Sequence, residues 1–338
     1  MSADAEPRRL VARSERWPLS RPFRISRGVK TAADVVVVEA HAGACTGWGE
    51  AVPYARYGES VESVLSQVEE VSAAFAQGMT RAELQQRLPA GAARNAVDCA
   101  LWDLEAKLSG RSVAELIGAP EPQSLVTAVT ISIETPERMA EAALAVREAP
   151  LIKVKVDAGD PIAAVQAVRG VAPKARLIVD PNESWTPSLL RGLLPGLARL
   201  DVALIEQPVP ADEDGELEGL APPVPICADE AAHTRADLDR VARRYQALNI
   251  KLDKTGGLTE ALAVKLRARE LGLTPMVGCM VCTSLGVAPA LLLAADAAFV
   301  DLDGPWWLLQ DRDSAVRIEA GRLIPPAAGW GSALPRIA

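Results

Sequence analysis

The sequence predicts an α/β fold in which eight parallel strands close into a barrel, preceded by a smaller α+β module. Three observations carry this. Short β-rich runs recur near residues 125–131 (LVTAVTI), 151–156 (LIKVKV), 177–180 (LIVD), 202–206 (VALIE), 224–228 (VPICA), 247–252 (ALNIKL), 274–278 (TPMVG) and 298–302 (AFVDL). Their starts lie roughly 20 to 27 residues apart, with Ala/Leu/Arg-rich segments of helical periodicity between them, such as 136–149 and 258–271. Eight is also the number of parallel strands that closes a barrel, whereas an open doubly wound sheet would normally carry fewer repeats.

Ahead of the repeat, residues 1–120 form the expected α+β module. VVVVEAHAG (35–43) reads as a strand, and the GACTGWGE stretch after it reads as a glycine turn into a second strand. The glycines at 43, 47 and 49 lack the spacing and the following helix of a nucleotide loop, so they are assigned to turn chemistry. Ser60 is placed to cap a helix ending near Gly78, and Ala93, Val97, Ala100, Leu101, Leu104 and Leu108 give one apolar stripe to a helix over 92–108. The barrel is expected over 121–304. From Pro305 to residue 338 the pattern breaks into hairpin-like, Gly/Pro-rich sequence, expected to fold back on the first module instead of adding an eighth helix.

With 338 residues, 49% hydrophobic and 24% charged, the chain has ample material for a packed core. A net charge of -8 points away from nucleic acid or an anionic membrane as partner. No apolar leader is visible at the start, and the longest apolar run, 285–300, contains Pro289 and Asp296. Five scattered cysteines suggest reduced thiols and a cytoplasmic enzyme. Cys279 and Cys282 form a C-x-x-C, but with no second pair and only two histidines a zinc site is not expected.

The chemistry gathers at the strand ends. In LIKVKV, Lys153 and Lys155 fall on one face of a strand, and two neighbouring ammonium groups repel, which lowers the pKa of one toward the range of a base. The next three runs end on Asp180, Glu206 and Asp229, and the one after carries Lys251. Three carboxylates converging at a barrel mouth repel strongly unless a divalent cation neutralises them. Oxygen-only ligation suits Mg²⁺, with Mn²⁺ as a substitute.

At these positions the sequence resembles the enolase superfamily, and within it the muconate-lactonizing subgroup, whose pattern is K-x-K followed by Asp, Glu and Asp metal ligands and a further lysine. The resemblance covers nearly the whole chain. It implies a (β/α)7β modified TIM barrel with a capping domain built from the N-terminal module and the C-terminal return. It implies Lys155 and Lys251 as the two acid/base groups on opposite sides of a substrate α-carbon, with Lys153 as helper and substrate contact. Such a pair removes a proton on one face and returns it on the other, as a racemase or epimerase does, while the metal stabilises the enediolate as a Lewis acid. Asn182, Glu230 and Asp253 are candidates for orienting Lys251 or a metal ligand.

The D-x-D of Asp301 and Asp303, followed by Gly304-Pro305, resembles the dipeptide epimerase branch, in which such aspartates hold the substrate ammonium. Cys279 and Thr130 match substrate contacts there. Side-chain selection is expected from the capping loops, where Arg24, Arg27 and Arg56 could clamp a carboxylate. The expected substrate is a dipeptide such as L-Ala-L/D-Glu, linked to cell-wall peptide recycling. An N-acyl amino acid racemase or o-succinylbenzoate synthase is the alternative in the same superfamily, and a non-catalytic barrel the alternative from another class. A homo-oligomer is expected.

Overall fold

The computed structural model describes residues 8–333; most of the segment read for a leader, residues 1–7, and the last five residues lie outside it. The chain opens on an antiparallel meander, β1 (Arg8–Ile25), β2 (Gly28–Ala42) and β3 (Cys45–Ala51). The sequence reading found β2 and β3 but not β1, whose 18 residues include two prolines and six arginines. Pairing with the apolar β2, not the intrinsic preference of β1, decides its conformation. The Pro18–Phe23 stretch interrupts the register as a bulge, consistent with proline at a strand edge.

Helices α1 (Val61–Ala76), α2 (Arg81–Arg87), α3 (Ala92–Ser109) and α4 (Val113–Ile117) follow. The hydroxyl of Ser60 accepts from Ser63 N and caps α1, an arrangement worth about 1 kcal/mol. Gly110, in the left-handed conformation, ends α3. The glycines of β3 serve packing as well as turning. A Cβ at Gly47 would lie 2.1 Å from Ala100 O and one at Gly49 2.0 Å from Ala96 O, so β3 can lie against α3 only because both side chains are missing. Only Gly43 sits in the turn, with φ 56.

The first predicted barrel run splits in two. Leu125–Val126, as β4, pairs outside the barrel, and Val129–Ile131, as β5, begins it. Then come α5 (Pro136–Ala145), β6 (Leu151–Lys155), α6 (Pro161–Val171), β7 (Arg176–Asp180), α7 (Pro187–Arg199), β8 (Val202–Glu206), β9 (Ile226–Ala228), α8 (Leu238–Val241) and β10 (Ala247–Ile250). The series continues through α9 (Leu252–Thr255), α10 (Leu258–Glu270), β11 (Thr274–Gly278) and β12 (Phe299–Asp301). The eight strands β5 to β12 are parallel and in sequence order, and Ala128 N donates to Val300 O at 2.8 Å to bridge the first and last. Among the described residues no α-helix follows β12, whose chain turns into a short 3-10 segment, Gly304–Trp307. This is a (β/α)7β barrel.

The return from the barrel differs in part from its expected docking. β13 (Arg317–Glu319) and β14 (Arg322–Ile324) form the hairpin, but β14 pairs with β4, beneath the barrel. Contact with the N-terminal module comes on either side of that hairpin. Leu309 N donates to Pro18 O at 2.9 Å, and Trp330 Nε1 donates to Trp48 O at 2.8 Å.

Candidate active site

The barrel interior is built in layers, because alternate residues of each strand point inward. Ala128, Leu151, Ile178, Leu204, Cys227, Ala247, Met276 and Phe299 form one dry cluster at the bottom. Two residues further along each strand the same inward positions are Thr130, Lys153, Asp180, Glu206, Asp229, Asn249, Gly278 and Asp301. Apart from Gly278, every side chain in this upper layer is polar and buried. A third step adds Lys155 and Lys251 above it. The spacing of two that placed Lys153 and Lys155 on one face thus extends around the whole barrel.

Gly278 has a steric role in that layer. A Cβ there would lie 2.6 Å from Asn249 Oδ1, so the glycine admits the Asn249 amide, whose Nδ2 donates to Glu206 Oε1 at 2.8 Å. Neither Asn249 nor Lys254 was picked out by the sequence. Lys254 Nζ lies 2.7 Å from Asp229 Oδ1, and the same ammonium donates to Asn249 O at 2.9 Å. Gln207, with φ 33, accepts from Asp229 N at 2.9 Å and Ala231 N at 3.0 Å, fixing the backbone that carries Asp229 and Glu230. Each is a polar residue one to three places from a strand-end acid or lysine, which is the only signal the sequence offered.

Charges in the mouth are closely matched. Lys153 Nζ lies 2.9 Å from Asp180 Oδ2, 2.7 Å from Glu206 Oε2 and 2.7 Å from Asp301 Oδ2. Lys155 donates to Asp180 Oδ2 at 2.5 Å and to Asn182 Oδ1 at 3.0 Å, while Lys251 donates to Asp229 Oδ2 at 2.7 Å. Burial alone would depress the Lys153 ammonium, but Asp180, Asp301 and Glu206 outweigh it and hold its pKa well above the usual lysine value. Repulsion within the lysine pair therefore does not set the state of Lys153. Lys251 is likewise raised: Asp229 and Glu206 outweigh its burial.

Among the acids, burial would raise Asp180, but Lys153 and Lys155 hold it below the carboxylate range. Glu206 moves the other way: burial, reinforced by Asp180, pushes it up to about 7. A cluster with one acid left under-neutralised is suited to a further cation. Glu206 Oε2 and Asp229 Oδ1 accept no well-formed hydrogen bond, although a lysine Nζ stands 2.7 Å from each. Among the described residues no three acids close around a common point as they stand, because the Lys153 ammonium lies between Asp180, Glu206 and Asp301. Three carboxylates on consecutive strands, with oxygens to spare, fit a hard divalent ion once Lys153 turns aside.

The other predicted residues divide. Thr130, Asn182, Glu230, Cys279, Asp301, Asp303 and Arg27 all line the same cleft. Asp303 Oδ2 accepts from Thr130 N at 2.7 Å, and burial, with Asp301 beside it, pushes Asp303 up to about 6. Three placements need correcting. Asp253 does not orient Lys251; its Oδ1 accepts from Val52 N and from Asn95 Nδ2, both at 2.9 Å, tying the barrel to the N-terminal module. Arg56 is held in a two-pronged pair with Glu183, at 2.8 and 2.9 Å, outside the cleft. Arg24 also lies outside the cleft, half-exposed, 3.9 Å from Glu134. Each guanidinium stands beside a glutamate outside the cleft, Arg56 in a close two-pronged pair and Arg24 in a loose, exposed one.

Lysines on opposite walls above a floor of carboxylates place the chain among enzymes of the α/β-barrel class. The chain belongs to the enolase superfamily: residues 8–118 match the mandelate racemase / muconate lactonizing enzyme N-terminal domain, and residues 137–336 match the enolase C-terminal domain-like family. It is 49% identical over 311 residues to the L-Ala-D/L-Glu epimerase of Escherichia coli K12, covering 91% of this chain and 97% of that one. It is 47% identical over 290 residues to an N-acetyl-D-glutamate racemase of a Pseudoalteromonas species, covering 85% and 92%. An Agrobacterium tumefaciens enolase family member with homology to dipeptide epimerases, solved with sodium and L-Ala-L-Glu, superposes with a TM-score of 0.92 at 50% identity, covering 94% and 98%. A dipeptide epimerase of Enterococcus faecalis V583, complexed with Mg and L-Leu-L-Tyr, gives 0.88 at 28% identity, covering 96% and 99%. Epimerases and racemases are isomerases, and this chain is one.

Proposed function

We propose that the protein epimerises the C-terminal residue of a dipeptide with an acidic second side chain, L-Ala-L/D-Glu being the leading candidate. The observation that carries this is the placement of Lys155 and Lys251. They stand on β6 and at the end of β10, four strands apart in an eight-stranded ring and so on opposite walls. A carbon between them can lose a proton to one lysine and gain one from the other, which inverts it. Asp301, at the end of the eighth strand, and Asp303, just past it, provide the negative charge for the dipeptide's free ammonium. Lys153, between them and the acids, is placed to meet the substrate carboxylate.

Asp180, Glu206 and Asp229 would hold Mg²⁺, with Mn²⁺ as a substitute. When bound, the ion supplies Lewis-acid stabilisation of the charge that develops on the substrate carboxylate as the α-proton leaves. Asn249, Lys254 and Gln207 keep these acids in place, and Phe23, Ile25, Tyr54 and Tyr57 from the N-terminal module line the cleft above them. Enclosure on this side strengthens each electrostatic contact by excluding water.

A second reading, racemisation of N-acetylglutamate, is favoured by the 47% identical racemase. Asp301 and Asp303 speak against it, because an acylated amine has no charge for them to bind. Among the described residues no helix is long and apolar enough to cross a membrane. A cytoplasmic place, a role in cell-wall peptide recycling and assembly as a homo-oligomer remain part of the proposal. The test is α-hydrogen exchange in D₂O with Mg²⁺, followed by NMR, on L-Ala-L-Glu and on N-acetyl-L-glutamate. Exchange with accumulation of the L,D diastereomer of the dipeptide supports the first reading. Exchange of N-acetylglutamate alone moves the assignment to the second, and exchange of neither, nor of any other dipeptide, refutes both.

A further inference from the structure

The Cys279/Cys282 pair takes no part in the chemistry assigned so far. Both thiols are free, and the other three cysteines stand apart on β3, α3 and β9. Cys279 is half-buried and lines the cleft with Met280 and Val281, whereas Cys282 is buried outside that lining. The loop that carries them is folded tightly around Gly304. A Cβ there would lie 3.1 Å from both Cys279 Sγ and Cys282 N, and 2.5 Å from Met280 O. A Cβ at Gly286 would likewise lie 3.2 Å from Cys282 Sγ. Two glycines thus leave room for the sulfurs, and the two thiols share a hydrogen bond. That contact, with burial, pushes the Cys282 thiol well above its ordinary pKa. Cys279 is the sulfur open to a small solute in the cleft, and Cys282 is the neighbour placed to resolve it.

The loop is pinned on both sides of the pair. Cys279 N donates to Asp301 O at 3.2 Å, and its thiol donates to the same oxygen at 3.6 Å. Thr283 N donates to Glu50 Oε1 at 2.8 Å, and Arg312 Nη2 holds the other oxygen of that buried carboxylate at 2.7 Å. A bond between the sulfurs therefore has to be absorbed between the pins, by Met280 and Val281, which are cleft wall. It also takes the Cys279 thiol away from Asp301 O.

We propose that Cys279 and Cys282 form a peroxide-sensitive dithiol, which closes to a disulfide, reshapes the cleft wall beside Asp301 and lowers activity until a thiol reductant reopens it. The Cys279 thiolate attacks one peroxide oxygen. The O–O bond breaks, hydroxide leaves and takes up the proton that Cys279 shed, and the sulfur becomes a sulfenic acid. The Cys282 sulfur then attacks that sulfur; the S–O bond breaks, and the second hydroxide leaves as water with the Cys282 proton. The two thiols lose two electrons, the peroxide gains them, and two waters form. A dithiol of this kind suits a reducing compartment, where disulfides are usually transient and redox-sensing. The effect on activity rests on the epimerase reading, whereas formation of the bond does not.

The test treats the full chain, with Mg²⁺, with hydrogen peroxide and removes the excess with catalase. Intact mass, free thiols in denaturant and epimerisation of L-Ala-L-Glu are then followed before and after dithiothreitol. Wild type should lose two hydrogens, mapped to residues 279–282 by tandem mass spectrometry, and its titratable thiols should fall from five to three. Its kcat/KM should fall about 10- to 100-fold, as for a small misplacement of cleft groups, and return with dithiothreitol. Cys282→Ala, which removes no cleft-lining group, should begin near wild-type activity and gain oxygen at Cys279 instead of losing two hydrogens. Wild type that gains oxygen without closing the pair, or closes it with kcat/KM unchanged, overturns the proposal. A wild type that turns over no dipeptide refutes the epimerase reading and with it the effect on activity, while mass and thiol count still decide whether the pair closes.

Discussion

Gly278 and Asn249 face each other on neighbouring strands so closely that a methyl group on the glycine would lie 2.6 Å from the amide oxygen of the asparagine. The amide is fully buried and gives its Nδ2 to Glu206 at 2.8 Å. A hydrogen atom in place of a side chain on β11 thus orients an acid on β8, three strands away.

Gly278→Ala is therefore expected to act on the metal site as well as on packing. Displacing Asn249 removes the bond that orients Glu206, and loss of such a supporting contact costs roughly 10- to 100-fold in metal affinity or activity. Overpacking should also destabilise the fold by about 1–3 kcal/mol. The check is Mg²⁺ titration of activity: the variant should need more Mg²⁺ for half-maximal rate than wild type. An unchanged Mg²⁺ requirement would show that Asn249 does not support Glu206.

Removing the divalent ion should lower stability through the acids alone. Wild type freed of metal by a chelator is expected to melt lower than with Mg²⁺ restored, since a ligand at about 100 times its Kd stabilises by about 2.7 kcal/mol. In Asp180→Asn this thermal shift should largely vanish, whether or not any substrate is turned over. A full Mg²⁺ shift in that variant would remove Asp180 from the ligand set.

Lys155 and Lys251 face one another across four strands, so deleting one should leave chemistry on a single face. Lys251→Ala is expected to abolish inversion, by roughly 10²-fold or more for loss of an acid/base group, while exchange of the α-hydrogen of one diastereomer persists. Lys155→Ala should show the opposite preference. Full epimerisation by either variant, followed by NMR in D₂O, would end the two-base assignment.

Much of this arrangement was legible in the chain because barrel geometry converts spacing into position. The acids at 180, 206 and 229 fall at the ends of apolar runs, and a parallel sheet brings run ends to one rim. The same periodicity did not expose the supporting residues. Asn249 lies inside a predicted run and reads as a blemish in it. Lys254 lies beyond a run, in the short helix α9, and neither offers a spacing of its own. β1 was missed for a different reason, since its arginines and prolines give no strand signal and its partner β2 dictates its shape. Arg24 and Arg56 were named by their charge, but a sequence does not show which guanidinium already has a nearby glutamate.

A last expectation concerns Asp98, on the helix that joins the N-terminal module to the barrel. Helix α3 docks on α9 and the glycine turn after it with little space. Arg94 Nη2 donates to Thr255 O at 2.7 Å, and a Cβ at Gly257, where φ is +108, would lie 2.5 Å from Asp98 Cβ. Asp98 has no exposure and accepts from Thr259 N at 2.9 Å, Thr259 Oγ1 at 2.6 Å and Gln85 Nε2 at 3.1 Å. Burial outweighs these bonds and pushes its pKa up to about 6 from 3.8. A carboxylate raised in the folded state holds its proton more tightly there than in the unfolded chain. Its contribution is thus most favourable below the unfolded value, falls as pH rises through the folded one, and is constant above it. From about pH 4.5 to about pH 7 this amounts to a loss on the order of 2 kcal/mol. Asp98→Asn removes the titration, so wild type should lose stability relative to the variant by about that much over the same window, measured as urea midpoints at the two pH values. Parallel pH dependences of the two proteins would mean that the folded and unfolded pKa values of Asp98 do not differ.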